Sequence, residues 1–333
     1  MGDLSIKNTI DLYLELLQTS RSPHTALTYQ HALNYFLNVL QIHHIDTEHT
    51  PPTSLNEEMI GYLAAALKDL SPATEQLYLT AVAGFYEFLV AENLANINLT
   101  RMRKIIQHRS RRPGVRLPQF PIQAIDKMIN YMINNINIPL DNVLESLRLH
   151  RDRAFLLVLA DTGMRVHEAC NLRRGDIDWD EGRAIIIGKG DRQAVIRFSQ
   201  RSLLALRGYL NHRAKLDGAS GRPLRSLPVF ARHDKGAGKK VKPITTTTGR
   251  NIVSFWVEKI LGPEEVGNIT PHSFRHYFVT RVLQKSGNLK LAQELARHRS
   301  ISVTQRYAHL SDSELDQGYH DVFEGSNRLS DPD

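Results

Sequence analysis

Guanidinium and imidazole groups concentrate at three places in this 333-residue sequence. The first is Thr162-Gly-Met-Arg165-Val-His-Glu168, and the second is Lys189 in the turn Gly188-Lys189-Gly190-Asp191. The third runs from Pro271 to His309 and reads PHSFRHYFVTRVL, then LARHRSISVTQRYAH. Arginine presents a planar fork of donors that fits phosphoryl oxygens and keeps its charge, while histidine gives and takes protons near neutrality. Such a set suits chemistry at a phosphate, where developing charge must be held and protons moved.

Other chemistries fit poorly. Gly236-Ala-Gly-Lys-Lys240 resembles a phosphate-binding loop only superficially, because the first glycine of that loop would fall at His233 and no Ser/Thr follows the lysine. His272 and His276 share a helix face at i, i+4, but Ser273-Phe-Arg275 between them lacks the glutamate of a zinc protease. His43-His44 falls in a loop-like stretch and is expected to be solvated. Neither a nucleophile elbow nor a dinucleotide fingerprint is present. The single cysteine, Cys170, excludes a disulfide scaffold and a thiolate zinc cluster.

The charge is uneven. Residues 1–100 hold three Lys/Arg against eleven Asp/Glu, a balance of −8, whereas residues 101–333 hold 39 against 24, a balance of +15. That predicts a polyanionic partner for the larger part. The densest stretch is 101–117, where Arg101, Arg103, Lys104, Arg109, Arg111, Arg112 and Arg116 stand with no acid and Pro113-Gly114 near the end. It is expected to be a basic interdomain linker that contacts phosphates. No apolar run approaches the roughly 18 residues of a membrane span, and the acidic, polar start is unlike a secretory signal. A cytoplasmic, nucleoid-associated protein is expected.

Residues 8–40 carry Ile10, Leu12, Leu14, Leu17, then Leu27, Phe36 and Leu40 at helical spacing. Ser22-Pro23 and Ser71-Pro72 each read as an N-cap with proline in the first helical position. With a third helix over Leu55–Leu70 and a fourth over Ala73–Glu92, striped by Leu77, Val82, Phe85 and Leu89, residues 1–100 predict an all-helical domain. Residues 118–333 predict a mixed domain. Helices are expected at 121–135 and about 151–161, strands at Asp176–Trp179, Ala184–Ile187 and Ala194–Phe198, and an irregular loop over 218–243. Thr270-Pro271 opens a helix that Gly287 stops, and short helices follow at 289–297, 302–308 and 312–322. The fold class is mainly α with a small β-sheet.

These boxes, in this order, resemble the tyrosine recombinase, or phage-integrase, family in its simple two-domain, Xer-like form. TGMRVHEACNL resembles the family's first arginine box, IIIGKGDRQAVIRF its β-hairpin, TPHSFRH its His-x-x-Arg box and ARHRSISVTQRYAH its last box. Residues 22–95 are similar to the family's helical, SAM-like core-binding domain, so the resemblance covers most of the chain. Two departures stand out. Arg297 occupies the position before the last-box histidine where glycine is common, and Asn98-Leu99 lacks the proline usual in Xer-type members.

The resemblance implies Arg165 and Arg275 as catalytic arginines, Glu168 as the acid supporting Arg165, Lys189 as the proton donor to the departing 5′ oxygen, and His272 and His298 as further donors. His272 is also implied as a proton acceptor from the nucleophile, Tyr307. By chemistry alone Tyr277 and Tyr319 stand beside Tyr307 among eleven tyrosines, and only the register nine residues after His298 selects it. His276 and His309 are expected to support the fold. The implied reaction is site-specific DNA recombination through a 3′-phosphotyrosine and a Holliday junction, without metal, cofactor or ATP. It serves integration, excision or resolution, as in chromosome-dimer resolution or movement of a mobile element. A C-shaped clamp on DNA, a homotetramer on two inverted-repeat sites and an unidentified accessory protein belong to the same picture. No arm-binding domain is expected. The acidic first domain is expected to touch DNA through few groups near helix starts, such as Arg21, His24, Thr25, Lys68 and Thr74. The alternatives are a type IB topoisomerase or telomere resolvase, and a catalytically silent DNA-binding regulator.

Overall fold

The computed structural model of the chain describes residues 4–111, 121–134, 142–188, 192–234, 236, 240–305 and 307, excluding the side chains of His24 and Arg192. Arg112, Arg116, Lys189, His309, Tyr319 and the helix expected at 312–322 lie outside these residues. The chain divides into two compact units, Met1–Arg116 and Leu117–Asp333.

In the first unit the described residues form helices α1 (Ile6–Ser20), α2 (Pro23–Ile42), α3 (Glu58–Ala66), α4 (Pro72–Ala91) and α5 (Leu99–Arg109). The serine–proline signals are helix starts. Ser22 accepts from the Thr25 amide at 3.3 Å and Ser71 from the Thr74 amide at 3.2 Å. Both amides, expected to face phosphate, are thus used within their own caps. Ile10, Leu14, Leu17, Phe36, Leu40, Val82, Phe85 and Leu89 are buried together as their spacing predicts. Leu12, Leu27 and Leu77 are instead exposed. Leu12 sits two residues from both Ile10 and Leu14, which turns it to the opposite face of a 3.6-residue helix.

The basic stretch is not a bare connector over its first part. Asn98 caps α5 by accepting from the Arg101 amide at 2.9 Å, and Met102 is buried in the bundle with Ile105 and Ile106 packed beside it. Arg101 pairs with Glu58 at 2.9 Å and Arg103 with Glu87 at 2.8 Å. Arg111 and Lys68 converge on the fully buried Glu75, at 2.5 and 3.0 Å. The Arg109 side chain lies over Gly61, and Lys104 is exposed. Several cations assigned to DNA by the sequence are therefore engaged by acids of their own unit.

The second unit is built around α7 (Val143–Thr162), which is buried on all sides from Ala154 to Ala160. Around it pack α6 (Ile122–Asn134), α9 (Gln200–His212), α11 (Thr246–Leu261) and α12 (Pro271–Ser286), contributing Met128, Leu206, Tyr209, Val253 and Phe274 to one core. The short helices are α8 (Val166–Asn171), α10 (Ala214–Gly218), α13 (Leu289–Ala296) and α14 (Ile301–Gln305). Strands β1 (Ile177–Asp178), β2 (Arg183–Gly188) and β3 (Arg192–Arg197) form an antiparallel sheet in that order. Ala184, Ile186 and Ile196 face the core while Ile185, Ile187 and Val195 are exposed, the two-residue alternation of a sheet covered on one face. The 218–243 segment does more than loop. Leu227, Val229 and Phe230 are fully buried, and the buried Arg213 holds their backbone through the Pro228 and Val229 carbonyls at 2.7 and 2.8 Å.

Candidate active site

Arg165 is set by a turn and a carboxylate. Helix α7 ends at Gly163 in the left-handed region, φ 59°, where a Cβ would lie 2.5 Å from the Phe278 ring. Glycine answers both demands. Two residues later Arg165 caps α8, whose third residue, Glu168, reaches back. Its Oε2 accepts from the Arg165 amide at 2.9 Å and its Oε1 from Arg165 NH1 at 3.0 Å. The Glu168 side chain is only 1% exposed and that of Arg165 44%. Burial alone pushes the Glu168 carboxyl up, but Arg297, the Arg165 amide and the Arg165 guanidinium outweigh it and hold the group below the ordinary carboxylate range.

Arg275 comes from α12, which starts with a Thr270–Ser273 capping box and Pro271 in its first turn. The buried guanidinium donates to the Gly163 carbonyl at 2.6 Å and to the Ala296 carbonyl, so it joins the ends of α7 and α13. Burial, with Arg165 and Arg297 nearby, lowers its pKa to about 10, which leaves it charged at neutral pH.

The imidazoles stand in this positive, half-buried setting. Burial first, then Arg275 and Arg165, lowers His272 and brings His298 to about 4. His276 is likewise lowered to about 4 by burial, His272 and Arg275. All three are therefore neutral at pH 7, able both to donate and to accept. His298 Nδ1 is 2.8 Å from Thr304 Oγ1, which fixes its ring. Tyr307 follows α14, its amide donating to the Thr304 carbonyl at 3.0 Å. Its hydroxyl is hydrogen-bonded to Nδ1 of His276, and His272 sits edge-on to His276 with ring centroids 4.3 Å apart.

Arg165, Glu168, Arg297 and His298 line one cavity of about 850 Å³ with Gln193 and Arg197 of β3. Arg275 meets this group through Gly163 and Ala296, and His272 and Tyr307 through their fields at Arg275 and beside His276. Of the catalytic residues that the resemblance implies, Lys189 lies outside the described residues. Two participants were not anticipated. His276, expected to support the fold, contacts the Tyr307 hydroxyl in the place expected for His272; its position one helical turn after His272 was the available signal. Arg297, which stood out in the sequence only as a departure from glycine, binds Glu168 at 3.1 Å. Tyr277, the rival tyrosine, instead donates to Asp126 at 2.8 Å.

The chain is similar to known proteins over both of its units. The profile of the phage integrase family matches residues 129–314, and that of the phage integrase N-terminal SAM-like domain matches residues 10–93. The chain is 28% identical over 318 residues to the tyrosine recombinase XerC of Bacillus subtilis (strain 168), covering 95% of this chain and 96% of that protein. It is 27% identical over 321 residues to XerD of Listeria innocua serovar 6a, covering 92% and 95%. In fold it is similar to the XerH site-specific recombinase bound to its difH substrate, with a TM-score of 0.64 at 20% identity over 88% of this chain and 78% of that one. A lambda integrase dimer bound to a core site gives 0.61 at 15% identity, over 92% and 95%. Since the family profile spans more than half of its length, this chain belongs to the phage integrase family and is a tyrosine recombinase.

Proposed function

We propose that this chain is a site-specific DNA recombinase in which Tyr307 attacks a DNA phosphodiester and keeps the 3′ phosphate as a phosphotyrosine until the exchanged strand reseals it. The observation that carries the reading is the convergence of two arginines, three neutral imidazoles and one tyrosine from stretches 165–168, 272–276 and 298–307.

In this reading Arg165 and Arg275 hold the non-bridging oxygens and offset the charge that grows on them during attack. The Tyr307 proton passes to an imidazole; His276, neutral and already hydrogen-bonded, is placed to take it, with His272 behind. The bond from phosphorus to the 5′ oxygen breaks as the bond to the tyrosyl oxygen forms, and Lys189 protonates the departing oxygen. A 5′ hydroxyl of the partner strand then reverses the step. One ester replaces another, so no nucleotide is hydrolysed. Strand exchange through a Holliday junction uses four copies on two inverted-repeat sites. The basic residues from Arg101 to Arg116 add phosphate contacts.

The test uses nicked duplex fragments, which trap the covalent step by releasing the short cleaved end. Wild-type protein is expected to stay attached to DNA in detergent, enriched on one inverted-repeat sequence, and Tyr307→Phe to leave none. Attachment surviving in the variant would assign the nucleophile elsewhere. Attachment without sequence enrichment, with relaxation of plasmids lacking a site, would mark a topoisomerase, and none from wild type a binding protein.

A further inference from the structure

Arg297 ends α13 in the left-handed region, φ 59° and ψ 44°, a conformation that glycine adopts freely and other residues only against strain. Its side chain is just 13% exposed, with NH1 3.1 Å from Glu168 Oε2. Its Nε and NH2 are buried with no hydrogen-bond partner among the described residues. A glycine at this position would avoid both the strain and the desolvation of a guanidinium. Stability of the turn therefore does not account for an arginine here, and its ion-pair partner, Glu168, is the carboxylate that also holds Arg165 by main chain and side chain.

Charge supplies a reason. Glu168 by itself would cancel Arg165, the arginine that is exposed to the cavity. Arg297 is a second cation on the same carboxylate, so the three groups together carry one positive charge, and Arg275 adds another. We propose that Arg297 is a positioning residue for the recombinase reaction: it holds the buried Glu168 carboxylate ionised and in place, so that Glu168 orients Arg165 without cancelling the charge offered to the scissile phosphate. This rests on the reading of Arg165 as a phosphate-binding arginine. The groups facing Glu168 are Arg165 from the start of α8, Arg275 from α12, and Arg297 with His298 from the turn after α13; His167 is its neighbour in sequence and Glu294 lines the same cavity. The cations among them lower its proton affinity and its burial raises it, so removing Arg297 leaves burial less opposed.

The experiment compares R297Q, R297G and R297K in the full chain. The Glu168 carboxyl is titrated by carbon NMR without DNA, and covalent adduct formation on nicked DNA is timed at saturating protein across pH. R297Q and R297G are expected to raise the Glu168 midpoint by about one pH unit or more. They are also expected to slow adduct formation about tenfold or more, with DNA affinity within about twofold of wild type. The acid limb of the rate should rise with the Glu168 midpoint, and R297K should restore most of the rate. R297G relieves the backbone strain, so it carries the test if R297Q folds poorly. An unmoved Glu168 midpoint, or wild-type rates and pH profiles in both variants, overturns the proposal. Absence of any adduct from the wild type overturns the functional reading instead, while the carboxyl titration still decides whether Arg297 governs Glu168.

Discussion

Arg275 NH1 donates to the carbonyl of Gly163 at 2.6 Å, so the turn that launches Arg165 is tied to the helix that carries the second arginine, 112 residues away in sequence. The two guanidiniums are thereby held as one unit. Their spacing depends on a backbone conformation at Gly163 that only glycine adopts without strain.

Gly163→Ala is expected to lower stability by about 2–4 kcal/mol, combining left-handed strain with collision against Phe278. It should also slow adduct formation, because the Arg275 anchor moves. Adding Phe278→Ala should recover part of the activity by making room for the new methyl. Denaturant unfolding and single-turnover cleavage of the two variants measure this; full activity in Gly163→Ala alone would break the link between turn and site.

His276 is neutral above about pH 4, so proton transfer from Tyr307 to it should give a cleavage rate without a histidine limb between pH 5 and 8. A base with an ordinary histidine pKa near 6.5 would show the rate falling about fivefold from pH 6.5 to 5.5. His276→Ala is expected to slow cleavage by about 10²-fold with little change in DNA affinity. A rate profile bending near pH 6.5 would point to another acceptor.

The basic stretch should split into two behaviours. Arg101 and Arg103 make exposed pairs with Glu58 and Glu87, worth about 0–1 kcal/mol each, and are easily diverted to phosphate. Alanine at either should weaken DNA binding several-fold and reduce its salt slope by about one, leaving stability unchanged. Glu75→Ala should instead cost about 2 kcal/mol of stability, since Arg111 and Lys68 lose their shared buried partner. Salt-dependent binding and urea unfolding of the three variants separate the cases.

Acid should destabilise the second unit early. His233 is held down to about 3 and His276 and His298 to about 4, burial being the first cause in each. Their folded pKa values lie below the unfolded value near 6.5, so the unfolded chain takes up more protons between those limits. The stability they contribute is complete above about pH 6.5 and declines as pH falls towards 4. His298→Asn should make that decline shallower in unfolding measured from pH 7 to 4.5.

The sequence carried the site boxes because each is local. The Thr-Pro helix start and the strand over Ala184 to Ile187 are decided within a few residues, and they stand as expected. Contacts made across the fold were not legible. The meeting of Tyr307 with His276 depends on how the turn after α14 docks on α12, which residue spacing does not encode. Helix α5 was masked by its own composition: Met102, Ile105 and Ile106 at i, i+3 and i+4 were the signal, set among cations that suggested an open strap. At Arg297 the departure from glycine was visible, whereas the buried carboxylate waiting for it was not.

Helix α7 cannot roll or slide without opening the core on every side, and the arginine-bearing turn is its end. Tyr307 rests on something slighter, a satellite cluster of Val279, Ala292 and Ala296 with Phe278, Val282 and Leu283 around it. In the proposed reaction the phosphate-binding arginines would thus rest on the main core of the second unit, and the nucleophile against a smaller cluster among the described residues. A displacement of Tyr307 from His276 would therefore leave the bonds that join Arg165, Glu168, Gly163 and Arg275 intact.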